Sequence, residues 1–218
     1  MSDTARPLLA MEALREPWEE LERQREAASF GMWVFLASEL LFFSGLFVSY
    51  AVYRTIYPEA MIEGARHADF FYGTLNTAIL MTSSLTMVLA SRGAEAGLRR
   101  FALWCLAATI LLGLGFVVVK GFEYAKDIED HLLVGYNYDL KPPETVLFWC
   151  FYWVSTGLHA VHVTVGICLI ARLLIQGLRS ALPLQTTPQL EATALYWHLV
   201  DTIWIFLYPC IYLVGRAS

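Results

Sequence analysis

Seven ionisable side chains stand out because almost everything around them is apolar: Glu39, Lys120, Glu123, His159, His162, His198 and Asp201. His159 and His162 are three residues apart, and so are His198 and Asp201, and Lys120 and Glu123. Residues i and i+3 share a helix face, so each pair points one way if its segment is helical. Carboxylates and imidazoles in this number are the ligand types of a di-metal centre in a helical bundle. Such a centre wants a Glu-x-x-His pair on each of two helices and a further Glu on each of two more. No Glu-x-x-His pair occurs in these segments. Axial haem ligation is formally open to any membrane histidine, with His162 and His198 as the pair that two helices could bring together. The reading that accommodates the whole set is a buried polar network or lipid contact made by Glu39, Glu123, His159, His162, His198 and Asp201. It assigns the chain no catalytic, cofactor-binding or metal-binding residue.

Glu39 has the strongest claim to an active role. It lies about ten residues into its apolar stretch, so roughly 15 Å deep at 1.5 Å per residue. A lone carboxylate at that depth either donates a hydrogen bond in its neutral form or takes part in proton movement. Other chemistry has no sequence support. There is no phosphate-cradling glycine loop, no nucleophile elbow and no Cys-x-x-Cys. The four cysteines, Cys105, Cys150, Cys168 and Cys210, show no disulfide or zinc spacing and read as small apolar core residues. Gly113 and Gly115 read as a site of close helix packing. The net charge of −5 forms no basic patch, which speaks against a nucleic-acid partner.

The elements that position these residues follow from where charge is missing. The 218-residue chain is 57% hydrophobic and 16% charged, against about 25% charged in soluble domains. Residues 27–53, 70–91, 101–119, 145–171 and 192–215 together hold 119 residues but only 2 of the 35 charges, Glu39 and Asp201. About 20 mostly apolar residues make a helix that crosses a bilayer core of about 30 Å. In lipid, backbone groups must be paired within the segment, so helix is the expected form. A soluble protein with five buried helices is the alternative, but such helices rarely run this long with so few charges. The expected fold is therefore all-α: an integral membrane bundle of five transmembrane helices at about 29–53, 70–91, 99–120, 146–171 and 192–215, preceded by a polar N-terminal cytoplasmic tail over 1–28.

Gly31 and Trp33 open the first span, and Tyr50 and Tyr53 close it as boundary aromatics. Thr77, Thr82, Ser83, Ser84 and Thr86 give the second span small hydroxyl residues that permit close helix contact. With the N-terminus inside, inner segments hold nine Lys and Arg and outer segments six. That excess places the N-terminus in the cytoplasm and the C-terminus in the periplasm. The loop at about 124–145, with Asp127, Glu129, Asp130, Asp139 and Glu144, reads as solvated. The Glu/Arg-rich stretch before residue 27 reads as a solvated cap on the first span, or else as a docking segment for a partner subunit.

Three patches, in order, carry a resemblance. The first is Gly31-Met-Trp-Val-Phe-Leu-Ala-Ser-Glu39, continuing through Phe42-Phe43 to Tyr50; the second is Thr156-Gly-Leu-His159-Ala-Val-His162-Val-Thr-Val-Gly166; the third is Tyr196-Trp-His198-Leu-Val-Asp201-Thr-Ile-Trp204, then Tyr212. Asn76-Thr77 and Glu123-Tyr124 add weaker matches. Together they resemble subunit III of the haem–copper oxidases, the cytochrome c and ubiquinol oxidases, over roughly residues 29–215. Lys120 departs from the family, standing where many members have an uncharged polar residue. The chain is similar to the family's five-helix form, which lacks two leading helices of the longer form. Those helices help to frame a lipid-filled cleft, so a neighbouring subunit is the candidate to complete it here.

The resemblance implies an accessory role beside oxidase subunits I and II in a bacterial cytoplasmic membrane. Haem and copper would lie in those partner subunits. This chain would bind phospholipid, steady catalytic subunit I and support proton uptake during aerobic electron transport. By the same carry-over, Glu39 matches the family's buried carboxylate, and His159, His162, His198 and Asp201 match its intramembrane polar positions. Three other settings compete: a subunit III-like partner of a nitric oxide reductase, an independent metalloenzyme, and a transporter. No internal repeat supports the last.

Overall fold

The computed structural model describes residues 21–135, 138, 140–179 and 188–216. The tail over 1–20, with its expected cap or docking role, and Asp139 lie outside the described residues. Six α-helices form in chain order: α1 Leu21–Ile56, α2 Pro58–Arg66, α3 Phe70–Glu95, α4 Arg99–Glu129, α5 Thr145–Leu178 and α6 Pro188–Tyr208. A π-helical turn, Pro209–Leu213, and a 3₁₀ turn, Val214–Arg216, follow α6. No strand occurs among the described residues. Five helices are long and apolar enough to cross a membrane, over Glu26–Ile56, Phe70–Glu95, Arg99–Glu129, Thr145–Leu178 and Gln189–Arg216. The architecture is the expected all-α membrane bundle.

Helices α3, α4, α5 and α6 close a ring in which each packs mainly on two neighbours, and α1 lies outside it across α5 and α6. The outer surface is apolar: Leu41, Phe71, Trp104, Leu111 and Phe122 all point away from the core. Water would penalise so much exposed apolar surface, and lipid does not. Inside the ring the largest side chains are aromatic, led by Trp149, Trp197 and Trp204. Trp197 fills a slot between two glycines. A Cβ at Gly113 would stand 2.9 Å from its ring, and one at Gly166 would stand 2.7 Å from it. Gly115, by contrast, faces open space, so only Gly113 of the expected pair serves close packing.

Hydroxyl groups of α3 fasten this interior as expected for a span rich in Ser and Thr. Trp197 Nε1 donates to Ser83 Oγ at 3.2 Å, and Trp204 Nε1 donates to Thr77 Oγ1 at 3.0 Å. Ser83 and Thr77 in turn donate to backbone carbonyls one turn back, at 2.7 and 2.9 Å. The hydroxyls of Ser83 and Thr77 are therefore each both donor and acceptor within the bundle.

Helix α2 has no counterpart in the five-span reading. Pro58 sits at its first position, Glu59 in its first turn and Arg66 in its last, all favourable for a helix. Ala60, Met61, Gly64 and Ala65 form its buried face, which packs on α5 and the C-terminal 3₁₀ turn. The next connection ends at Asp69, which caps α3 by accepting from the Phe71 amide at 3.0 Å. Its other oxygen accepts from Lys126 at 2.6 Å. Partial burial pushes the Asp69 carboxyl up, but these hydrogen bonds outweigh it and hold the group below the ordinary carboxylate range.

Three local expectations are corrected. Helix α4 runs to Glu129, so Asp127 and Glu129 are helical, and Asp127 is buried instead of solvated. The apolar span of α4 thus continues past its first charges. Tyr50 is buried; it stacks on Phe151 and donates to the Cys210 carbonyl at 2.8 Å instead of marking a membrane boundary. Of the cysteines only Cys105 is buried, whereas Cys150 and Cys168 are exposed on the outer surface.

Candidate functional site

The polar residues singled out by sequence do not converge on one point. They form separate clusters, each joining particular helices. Glu39 on α1 meets His162 on α5, with Oε2 2.9 Å from Nε2. It is thus not a lone carboxylate, and the pair is partly exposed, at 20% and 18% of the side-chain surface. The other ring nitrogen of His162 lies 2.7 Å from the Leu158 carbonyl one turn back. That carbonyl is an acceptor, so Nδ1 carries a proton. Phe43 closes edge-on against the imidazole at 5.3 Å.

His198 on α6 meets Ser84 on α3, with Nδ1 2.8 Å from Oγ. Asp201 lies one turn further along α6, and neither of its carboxylate oxygens has a hydrogen-bond partner among the described residues. His159 is fully buried, and neither of its ring nitrogens has a hydrogen-bond partner among the described residues. It is held by aromatic rings instead: Phe116 edge-on at 5.5 Å and Trp204 nearly stacked at 4.9 Å. His159 and His162 therefore look to different neighbours, one to the interior of the ring and one to α1. Among the described residues no three His, Cys, Asp or Glu side chains come together as metal ligands would.

The largest cluster is built on Lys120 and Glu123, the i,i+3 pair at the far end of α4. Both are almost completely buried, with Lys120 Nζ 3.1 Å from Glu123 Oε2. Lys120 also donates to Tyr212 Oη at 2.9 Å and to Tyr152 Oη at 3.2 Å. Tyr212 donates to Glu123 Oε1 at 2.6 Å. Tyr152 contacts the same oxygen at 3.0 Å and reaches Asp127 Oδ2 as well. The ammonium lies over the Tyr152 ring, 4.6 Å from its centroid, where the π face adds attraction. Asp127, Tyr152 and the role of Tyr212 were missed by sequence reasoning. The spacing 120, 123, 127 is one helix stripe, and that signal would have found Asp127 had the helix been extended.

An apolar groove of about 550 Å³ opens between α1, α5 and α6. Phe35, Val161, Val165, Leu169 and Tyr196 line it, His162 lies at one end and Arg172 at the other. Ten residues of α5 separate those ends, or roughly 15 Å of helix.

A family model described as cytochrome c oxidase subunit III matches residues 21–216. The chain belongs to that family. Quinol oxidase subunit 3 of Bacillus subtilis (strain 168) is 31% identical over 194 residues, covering 86% of this chain and 87% of its own length. Cytochrome c oxidase subunit 3 of Corynebacterium diphtheriae is 33% identical over 193 residues, covering 85% and 87%. Cytochrome c oxidase subunit 3 of the carp Cyprinus carpio is 31% identical over 196 residues, covering 85% of this chain and 69% of the carp protein. Membership of the oxidase subunit III family makes this chain an integral membrane component of an oxidase complex. The matched region includes every polar cluster described above.

Proposed function

We propose that this chain is the accessory subunit III of a terminal haem–copper oxidase in a bacterial cytoplasmic membrane. It assembles with subunits I and II, holds phospholipid, and carries no redox centre of its own. The observation that carries this reading is the family match over residues 21–216 combined with the state of most of the polar residues: Glu39 with His162, His198 with Ser84, and Lys120 and Glu123 with Tyr212 are tied between elements. Groups occupied in this way fasten a scaffold. The groove between α1, α5 and α6 supports the lipid part of the reading. Its apolar walls suit an acyl chain, and Arg172 at its end suits an anionic headgroup.

Steadying subunit I and supporting its proton uptake are further parts of this reading. Glu39 is the residue for the second, because its pair with His162 is partly exposed beside the groove. Quinol and cytochrome c oxidase relatives match equally well, so the electron donor is set by other subunits.

The test is a mild-detergent pull-down of the tagged chain, with an optical spectrum, metal analysis and phosphorus analysis of the eluate. Haem and copper are expected to travel with the larger subunits and to vanish when this chain is stripped pure. Arg172→Gln is expected to reduce the co-purifying phospholipid. Metal retained by the pure chain would overturn the accessory role, and haem without copper would move the chain to a nitric oxide reductase. Orientation is a separate expectation. The excess of inner Lys and Arg predicts that a reporter fused after Ser218 faces the periplasm, and a cytoplasmic signal would reverse the topology.

A further inference from the structure

The buried cluster at the end of α4 contains two carboxylates, Glu123 and Asp127, but one ammonium, Lys120, and all three are at most 2% exposed. The nearest other cation on this stretch of helix, Lys126, is half exposed and engaged with Asp69. If both carboxylates were ionised, one negative charge would sit uncompensated in a low-dielectric interior, which is severely unfavourable.

The cluster is also one hydrogen short. Tyr212 accepts from Lys120 and donates its one hydrogen to Glu123. Tyr152 accepts from Lys120 and has one hydrogen of its own, yet it lies within hydrogen-bond distance of both Glu123 Oε1 and Asp127 Oδ2. Two ionised carboxylates would compete for that single hydrogen, because an ionised carboxylate only accepts. One of the two must supply a hydrogen itself. Lys120 decides which. Its ammonium is paired with Glu123 at 3.1 Å, so Glu123 is the ionised partner.

We infer that Asp127 is a proton-holding site: in the folded protein it is a neutral acid that donates to Tyr152, which donates to the ionised Glu123. Every oxygen–oxygen contact of the cluster then has its hydrogen. Asp127 gives one to Tyr152, Tyr152 and Tyr212 give one each to Glu123, and Lys120 gives to both tyrosines. The groups that act on Asp127 come from its own helix (Lys120, Glu123 and Asp130) and from α5 (Tyr152); Tyr212, on the turn after α6, completes the cluster through Lys120 and Glu123. The cluster is electrically neutral as a whole and keeps a proton in store close to one membrane boundary. This inference rests on the cluster geometry and is independent of the oxidase assignment.

The two carboxylates therefore differ in what their amides should do. Asp127→Asn preserves a neutral donor to Tyr152, whereas Glu123→Gln leaves the Lys120 charge unpaired. Both variants of the full chain would be solubilised with their associated subunits and melted. Asp127→Asn is expected to keep the unfolding midpoint, and Glu123→Gln to lower it by about 10 °C. The reverse order would put the proton on Glu123. Equal losses would mean that both are ionised, and no change in either would mean that the cluster holds no buried charge; each of these three outcomes overturns the proposal. Infrared spectroscopy gives a second reading. A carboxylic-acid C=O band that is present in the wild type and missing in Asp127→Asn supports the assignment. A wild type without the band overturns it, even if Glu123→Gln fails to fold.

Discussion

Replacing Lys120 with methionine is expected to destabilise the protein by about 3–5 kcal/mol, the usual result of removing one partner from a buried ion pair. Methionine has a comparable length and fits an apolar interior, so the loss comes from charge and hydrogen bonding more than from volume. Glu123 would be left ionised among aromatic rings, and Tyr152 and Tyr212 would each lose a donor. The double variant Lys120→Met with Glu123→Gln removes both charges and is expected to recover most of the loss. Replacing both members of a buried pair with neutral groups is often close to neutral. Thermal or denaturant unfolding of the solubilised complex reads both variants. If the double variant is as weak as the single one, the pair itself is not the source of the stability.

The second large effect is expected at Trp197, whose replacement by alanine should cost about 3–5 kcal/mol through cavity formation. The ring is fully buried and sits in the slot formed by Gly113 on α4 and Gly166 on α5, while its Nε1 donates to Ser83 on α3. One side chain of α6 thus touches all three other helices of the ring. The glycines themselves have no side chain to fill the space, which is bordered by Ile167 beside Gly113 and by Tyr196 beside Gly166. The cost within that range depends on how far those two side chains close the space. Purification yield and melting temperature of the variant complex measure it, and an unchanged melt would mean that the helices close up as rigid bodies.

The contrast between these two sites shows what the sequence discloses. Glycines 113 and 166 were visible, and so were the aromatic residues of the last span, but no spacing rule pairs Trp197 with glycines from two other helices. Lys120 and Glu123 were legible as one helix face because three residues separate them. Asp127 belongs to the same stripe, but it sits among Lys126, Glu129 and Asp130, a charge density that reads as the end of a span. The helix continues because Tyr152 satisfies the carboxyl group within the bundle. Glu39 and His162 were each recognised as buried polar residues on separate spans. Their pairing at 2.9 Å is a fact about helix packing that neither span contains. Helix α2 escaped because it is short and its apolar face is made of small residues, Ala60, Gly64 and Ala65, beside a single Met61. Length and charge depletion are strong signals for a span and say little about a helix that rests on the bundle's end.

The way α1 is attached has a mechanical consequence. Its polar fastenings are Glu39 to His162 and Tyr50 to the Cys210 carbonyl. Eleven residues separate them, about three full turns and roughly 16 Å, so both lie along nearly the same edge of the helix. Cys210 is available because it belongs to the π-helical turn that Pro209 opens, where the regular backbone pairing is interrupted. Two pins on one edge make a door hinge. Helix α1 is held against sliding lengthways, since that would pull both pins at once, and rotation about the line that joins them is the motion these two bonds oppose least. Met32 and Phe35, on this helix, form one wall of the groove. A rotation of that kind would change the width of the groove with neither polar bond broken.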